Sequence, residues 1–160
     1  MTTECDVREA YSEYSGELFG FALRSLGDNG LAEEAVQETF VRAWRAGERF
    51  DPEIASLRTW LFAIQRNVVI DLVRARAKRP PVAEAGIEPS VEPLDDALLA
   101  LQVEDAMGRL GEDHRRVLIE THFRDRPYAE VAEELGVPEG TVKSRVYYGL
   151  RAMRVALGEL

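Results

Sequence analysis

One stretch near the middle of the chain, RPPVAEAGIEPSVEP from Arg79 to Pro93, limits the architecture more than any other. It holds four prolines, no aromatic residue and only small or β-branched apolar residues. Proline lacks the amide proton that a helix interior needs, and side chains this small bury little surface, so the stretch can neither continue a helix nor build a core. Residues 80–96 therefore read as an extended acidic linker between two small domains, 1–79 and 97–160, for which 160 residues leave room. A hydrophobic fraction of 46% with only 8% aromatic and 31% charged residues suits solvated amphipathic helices and an all-α fold.

Before the linker, the apolar period predicts three helices. The first, about Val7 to Leu26, carries Val7, Tyr11, Tyr14, Leu18, Phe21 and Leu26, and GDNG stops it. The second, about Leu31 to Ala46, is expected to bury Leu31, Ala35, Phe40, Ala43 and Trp44, leaving Glu33, Glu34, Gln37, Glu38 and Arg42 for another face. After the irregular loop AGERFDPEIAS, Ser56 is placed to cap a third helix, Leu57 to Lys78, whose core stripe is Trp60, Leu61, Ile64, Val68 and Leu72. Helices two and three are expected to pack through Phe40, Trp44, Trp60 and Ile64. After the linker, helices are expected at Ala97 to Leu110, Asp113 to Phe123, Tyr128 to Leu135 and about Pro138 to Leu157.

The last two form a helix-turn-helix pattern. Ala132 is small where the helices cross, Gly136 allows a left-handed turn, Pro138 presets a helix start, and Val142 faces the core. Glu130, Glu133, Glu134 and Glu139 precede Lys143, Arg145 and Arg151, so the charge changes sign where the second helix would enter a major groove. Its DNA-facing candidates are Thr141, Lys143, Ser144, Arg145, Tyr147 and Tyr148. The other reading of the same residues is an α-hairpin with an ordinary basic face.

The net charge of −9 is the wrong sign for nucleic-acid binding, but residues 80–96 alone contribute −5 and each flank only −2. Gln65 to Arg79 holds five basic residues against Asp71, and Gly140 to Val155 holds four against no acid. Screening confines charge effects to about 10 Å, so such local patches decide contact.

Three motifs in order, AEEAVQETFVRAWR, TWLFAIQRNVVIDLVRARAKR and GTVKSRVYYGLRAMR, resemble the extracytoplasmic-function group of bacterial RNA polymerase sigma factors over about Val7 to Leu157. The resemblance implies that the first domain is region 2, a helical bundle that binds polymerase and opens the downstream promoter element. The second is then region 4, which reads the upstream element. Implied partners are core RNA polymerase, through its beta and beta-prime subunits, and promoter DNA. Glu34, Gln37, Glu38 and Arg42 would dock on the polymerase clamp. Arg49, Phe50 and Asp51 would line the pocket for a flipped base, and Asn67, Asp71, Arg74, Arg76 and Lys78, with Arg66 and Arg79 nearby, would meet the downstream element. Trp60, on the core stripe, is read as packing. Glu84, Glu88 and Glu92 of the linker would imitate a nucleic-acid backbone.

Two departures stand out: Pro127 replaces a serine or threonine cap, and Tyr148–Gly149 replaces a basic residue. No further regulatory domain is expected after the last helix, and control is expected from a separate anti-sigma factor. The lone Cys5, the acidic N-terminus and the lack of a long apolar run point to a cytoplasmic protein with no disulfide and no direct membrane insertion. No cofactor, metal, catalytic residue or small-molecule substrate is expected, since His114 and His122 lie eight apart, not the four of a helical metal site. The competing function is a stand-alone helix-turn-helix transcriptional regulator, which would need an effector pocket or a long dimer helix.

Overall fold

The computed structural model describes residues 4–78 and 88–158, with side chains from Val7. Arg79 and Glu84, both assigned roles above, lie outside the described residues. Among the described residues the regular structure is helical throughout, and the chain divides into two compact units, Met1–Leu101 and Gln102–Leu160.

Unit one contains α1 (Glu4–Leu26), α2 (Asn29–Arg45), α3 (Leu57–Ala77) and the first part of α4 (Glu92–Arg109). Gly27, at φ 66°, ends α1 in the left-handed conformation that glycine adopts without steric penalty. Asp28 then caps α2 by accepting the Leu31 N–H at 2.9 Å, and Ser56 caps α3 as expected, accepting the Thr59 N–H at 3.2 Å. The core joins Leu18, Ala22 and Leu26 to Ala35, Phe40 and Ala43 and to Leu61, Phe62 and Val68, with Phe21 edge-on to Phe62 at 5.4 Å. Of the polar side chains buried in this unit, Gln65 donates to the Leu18 carbonyl at 2.8 Å. Tyr11, expected in the core, is half exposed, with its ring edge against Phe40 at 4.9 Å.

The largest departure from the sequence reading lies at the linker. The helix expected from Ala97 begins at Glu92, and Leu94, Leu98 and Leu101 are buried in the core of unit one. Pro93 does not oppose this, because a residue in the first turn has no helical partner for its N–H. Ser90 stitches the segment down, its N–H reaching the Ser25 carbonyl at 2.8 Å while its hydroxyl accepts the Glu92 N–H at 3.1 Å. Asp95 pairs with Arg66 of α3. A leucine at each of three successive inward positions adds about 1.5–3 kcal/mol of apolar burial apiece, more than one proline in a first turn removes.

Unit two contains the end of α4, α5 (Glu112–Leu118), α6 (Tyr128–Leu135) and α7 (Glu139–Ala156). Arg115 closes the α4 terminus by donating to the carbonyls of Met107, Gly108 and Leu110 at 2.9, 3.0 and 2.7 Å. The helix expected to run to Phe123 changes register after Leu118 into a five-residue π turn, Ile119–Phe123. There the Thr121 hydroxyl donates to the Val117 carbonyl at 2.6 Å, and the Arg124 N–H reaches back five residues to the Ile119 carbonyl. Gly149 lies where α5 and α7 pass closest, since a Cβ there would meet Leu118 at 3.0 Å. Its place in the sequence motif therefore has a packing reason.

Arg126 organises the polar side of this unit. It donates to Glu120 at 2.6 Å, Glu134 at 2.5 Å and Glu130 at 3.0 Å, while Arg124 holds the other Glu120 oxygen at 2.8 Å. Two acids of α6, Glu130 and Glu134, are thus held by a cation in front of the helix. Hydrogen bonding from Arg126 holds the Glu120 carboxyl below its ordinary 4.5, helped by the Arg124 charge.

Two outcomes test this fold. Leu94→Ala should destabilise unit one by about 2–5 kcal/mol, whereas a leucine in a spacer would be neutral. Trp44 and Trp60, the two tryptophans, both belong to unit one, so tryptophan fluorescence during urea unfolding measures that unit alone. Because the folded Glu120 pKa is lowered, its contribution is present above pH 4.5 and lost as the pH falls through the folded value. Glu120→Gln should therefore flatten the acid limb of α6 stability, followed by amide exchange.

Candidate nucleic-acid interface

In α6 and α7 the three marker positions behave as the pattern requires. Ala132 and Val142 are buried, and Gly136 takes φ 68° and ψ 32°. The turn is closed by Gly136 N–H to Glu133 and Val137 N–H to Ala132, at 3.2 and 3.1 Å. Pro127 stands at the head of α6 and Pro138 at the head of α7, both extended, supplying the fixed φ that a helix start needs.

The outer face of α7 follows from its inner one. Val142, Val146, Gly149 and Met153 are buried at steps of four, three and four, which turns Ser144, Tyr147 and Arg151 directly outward. Lys143, Ser144, Tyr147 and Tyr148 are all exposed, and the two tyrosine rings meet edge to face at 5.2 Å. Thr141 is half-buried. Arg145 differs from its neighbours: it lies beside the buried stripe, with its guanidinium 3.9 Å from Asp113. Lys143 has Glu139 at 3.7 Å, one turn earlier, a loose exposed pair that a phosphate can replace.

On α3, Asn67, Asp71, Arg74 and Lys78 recur at steps of four, three and four and form one exposed stripe. Arg76 points elsewhere, toward the Leu26 carbonyl at 3.5 Å. The loop before α3 is built from its own polar groups. Gly47–Arg49 makes a short 3-10 turn, and Asp51 binds the Glu53 N–H at 2.9 Å through its carboxylate and the Ile54 N–H at 3.0 Å through its carbonyl. Of the three residues expected to line a base pocket, Arg49 is exposed, Asp51 is exposed but holds the turn, and Phe50 turns inward onto Trp60 at 5.1 Å. Trp60 is half-buried against the core, in keeping with packing.

On α2, Glu34 and Gln37 are exposed, while Glu38 and Arg42 are half-buried and bonded to each other at 3.1 Å. Trp44, expected in the core, is 60% exposed. Its place follows from the same periodicity, since it stands seven residues beyond Gln37 and shares that outward face, with exposed Val41 between them. The sequence reading placed Trp44 in the core by hydrophobicity and gave Val41 no place; counting from Gln37 was the signal available for both.

No helix among the described residues is long and apolar enough to cross a membrane, and no cluster of three or more His, Cys, Asp or Glu is placed to hold a metal ion.

Comparison with known proteins agrees with these two units. Residues 10–79 match the Sigma-70 region 2 family and residues 106–155 match the Sigma-70, region 4 family. The ECF RNA polymerase sigma factor SigL of Mycobacterium tuberculosis is 38% identical over 159 residues, covering 96% of this chain and 90% of the relative. The ECF RNA polymerase sigma factor RpoE of Cereibacter sphaeroides is 31% identical, covering 94% of this chain and 86% of the relative. Among solved structures, Rhodobacter sphaeroides SigE in complex with the anti-sigma ChrR is 31% identical, covers 95% of this chain and 89% of that one, and has a TM-score of 0.42. This chain belongs to the extracytoplasmic-function group of RNA polymerase sigma factors, which bind core RNA polymerase and direct promoter-specific transcription initiation.

Proposed function

We propose that α2 is the polymerase-docking helix, α3 with its preceding loop the downstream-element surface, and α7 the reader of the upstream element, all acting in the cytoplasm under an anti-sigma factor. The observation that carries this reading is the set of exposed stripes opposite the buried ones. On α2, Glu34, Gln37 and Glu38 rim an apolar centre of Val41 and Trp44. An aromatic anchor inside a polar rim is the usual anatomy of a protein interface. On α3, Asn67 offers an amide to bases, while Arg74 and Lys78 offer cations to phosphates. Arg49 and the Phe50–Trp60 ring pair stand at the loop where a flipped base would be received. On α7, Lys143, Ser144, Tyr147 and Tyr148 occupy the part of a recognition helix that reaches base edges, while Arg145 must leave Asp113 to join them.

The net charge of −9 works against free association with DNA, so promoter binding depends on polymerase. The uncovered Val41–Trp44 surface is also what an anti-sigma factor would cover to silence the protein. A surface that serves docking cannot bind both partners at once.

Three measurements follow. The unmodified protein should direct run-off transcription from cognate promoters only when core polymerase is added, and Trp44→Ala should weaken core binding about tenfold, roughly 1.4 kcal/mol, as expected for an interface anchor. Tight promoter binding by the protein alone would contradict the assignment. Lys143→Ala should lower initiation most at promoters that depend on the upstream element, by about 1–3 kcal/mol for a base contact; an equal loss at every promoter would make Lys143 a phosphate contact. Purification from uninduced cells should recover the protein with an inhibitor that Trp44→Ala releases, and recovery with polymerase alone would remove the anti-sigma factor from the scheme.

A further inference from the structure

We propose that Arg42 and Asp71 work as one positioning pair, which orients the DNA-side stripe of α3 against the docking helix α2, and that neither makes an independent contact with polymerase or DNA. The inference rests on the assignment of α2 and α3 above. Arg42 divides one edge of its guanidinium between two acids: Nε donates to Glu38 one turn back at 3.1 Å, and Nη2 donates across to Asp71 of α3 at 3.0 Å. Hydrogen bonding to the Asp71 carboxylate is the first reason that the Arg42 pKa is raised above its ordinary value. The side chain therefore leans toward α3, away from the outward face that Gln37, Val41 and Trp44 share.

Asp71 needs such a partner. It is the only acid between Gln65 and Arg79, and it stands inside the stripe of Asn67, Arg74 and Lys78, where an unpaired carboxylate would repel the phosphates those cations attract. Bonded to Arg42, its charge is offset and its direction is set by α2. The pair has another property that separates positioning from stability. With side-chain exposures of 36% and 57%, a solvated pair of this kind adds little to folding. Its removal should therefore appear in promoter opening while the melting transition barely moves.

A double-mutant cycle tests the pair: Arg42→Ala, Asp71→Ala, the double variant and Arg42→Lys. Each is measured for core affinity, for thymine reactivity to permanganate in the opened promoter, and for unfolding by tryptophan fluorescence. Expected are core affinities within about twofold of the unmodified protein and a loss of opening of about three- to fivefold in each alanine variant, the range set by exposed charge pairs. The double variant should be no worse than the singles, and Arg42→Lys should fall between, because an ammonium can reach Asp71 but cannot fork to both carboxylates. Weaker core binding in Arg42→Ala alone would overturn the proposal and make Arg42 a docking residue. Opening losses that multiply in the double variant would also overturn it, by showing two independent contacts. Failure of the unmodified protein to bind core polymerase would instead overturn the assignment of α2, before any variant is compared.

Discussion

Everything in this protein depends on one geometric constraint: a helix of 3.6 residues per turn that buries one stripe must leave the opposite stripe outside. In unit one, Leu18, Phe40, Phe62 and Leu94 meet in the core. Once they are inside, Gln37, Val41 and Trp44 on α2 and Asn67, Arg74 and Lys78 on α3 are necessarily outside. In unit two, burial of Val142, Val146 and Met153 turns Ser144, Tyr147 and Arg151 outward in the same way. Cores and outward faces are two readings of one periodicity, and each helix of a small domain contributes to both.

Electrostatics refines these faces locally. A protein of net charge −9 can present basic stripes because its acids are placed elsewhere or paired. Arg126 gathers Glu120, Glu130 and Glu134 on the side of α6, and Arg42 pairs with Asp71, the acid that stands in the stripe of Arg74 and Lys78. Exposed pairs of this kind contribute little to folding free energy, but they set the sign of the charge that an approaching phosphate meets within a Debye length.

The segment between the two family-matched regions shows how tertiary contacts extend a domain. Residues 80–105 fall between those matches, yet Leu94, Leu98 and Leu101 complete the core of unit one, and Asp95 pairs with Arg66. Three inward leucines outweigh a proline in a first turn, so a stretch that is linker by composition is partly core by packing.

Much was legible in the sequence. Two helical units, the caps at Ser56 and Gly136, the small Ala132 and the inward Val142 all follow from local rules, because capping, turn geometry and periodicity act over a few neighbouring residues. The outward places of Glu34, Gln37, Asn67, Lys143 and Tyr147 follow from the same count. What the sequence could not decide were contacts between residues far apart in the chain: Arg42 with Asp71, Gln65 with the Leu18 carbonyl, Phe50 on Trp60, and Leu118 beneath Gly149. Trp44 stands between the two groups: hydrophobicity says only that a side chain prefers burial, while the count from Gln37 sets it on the outward face that the structure leaves exposed.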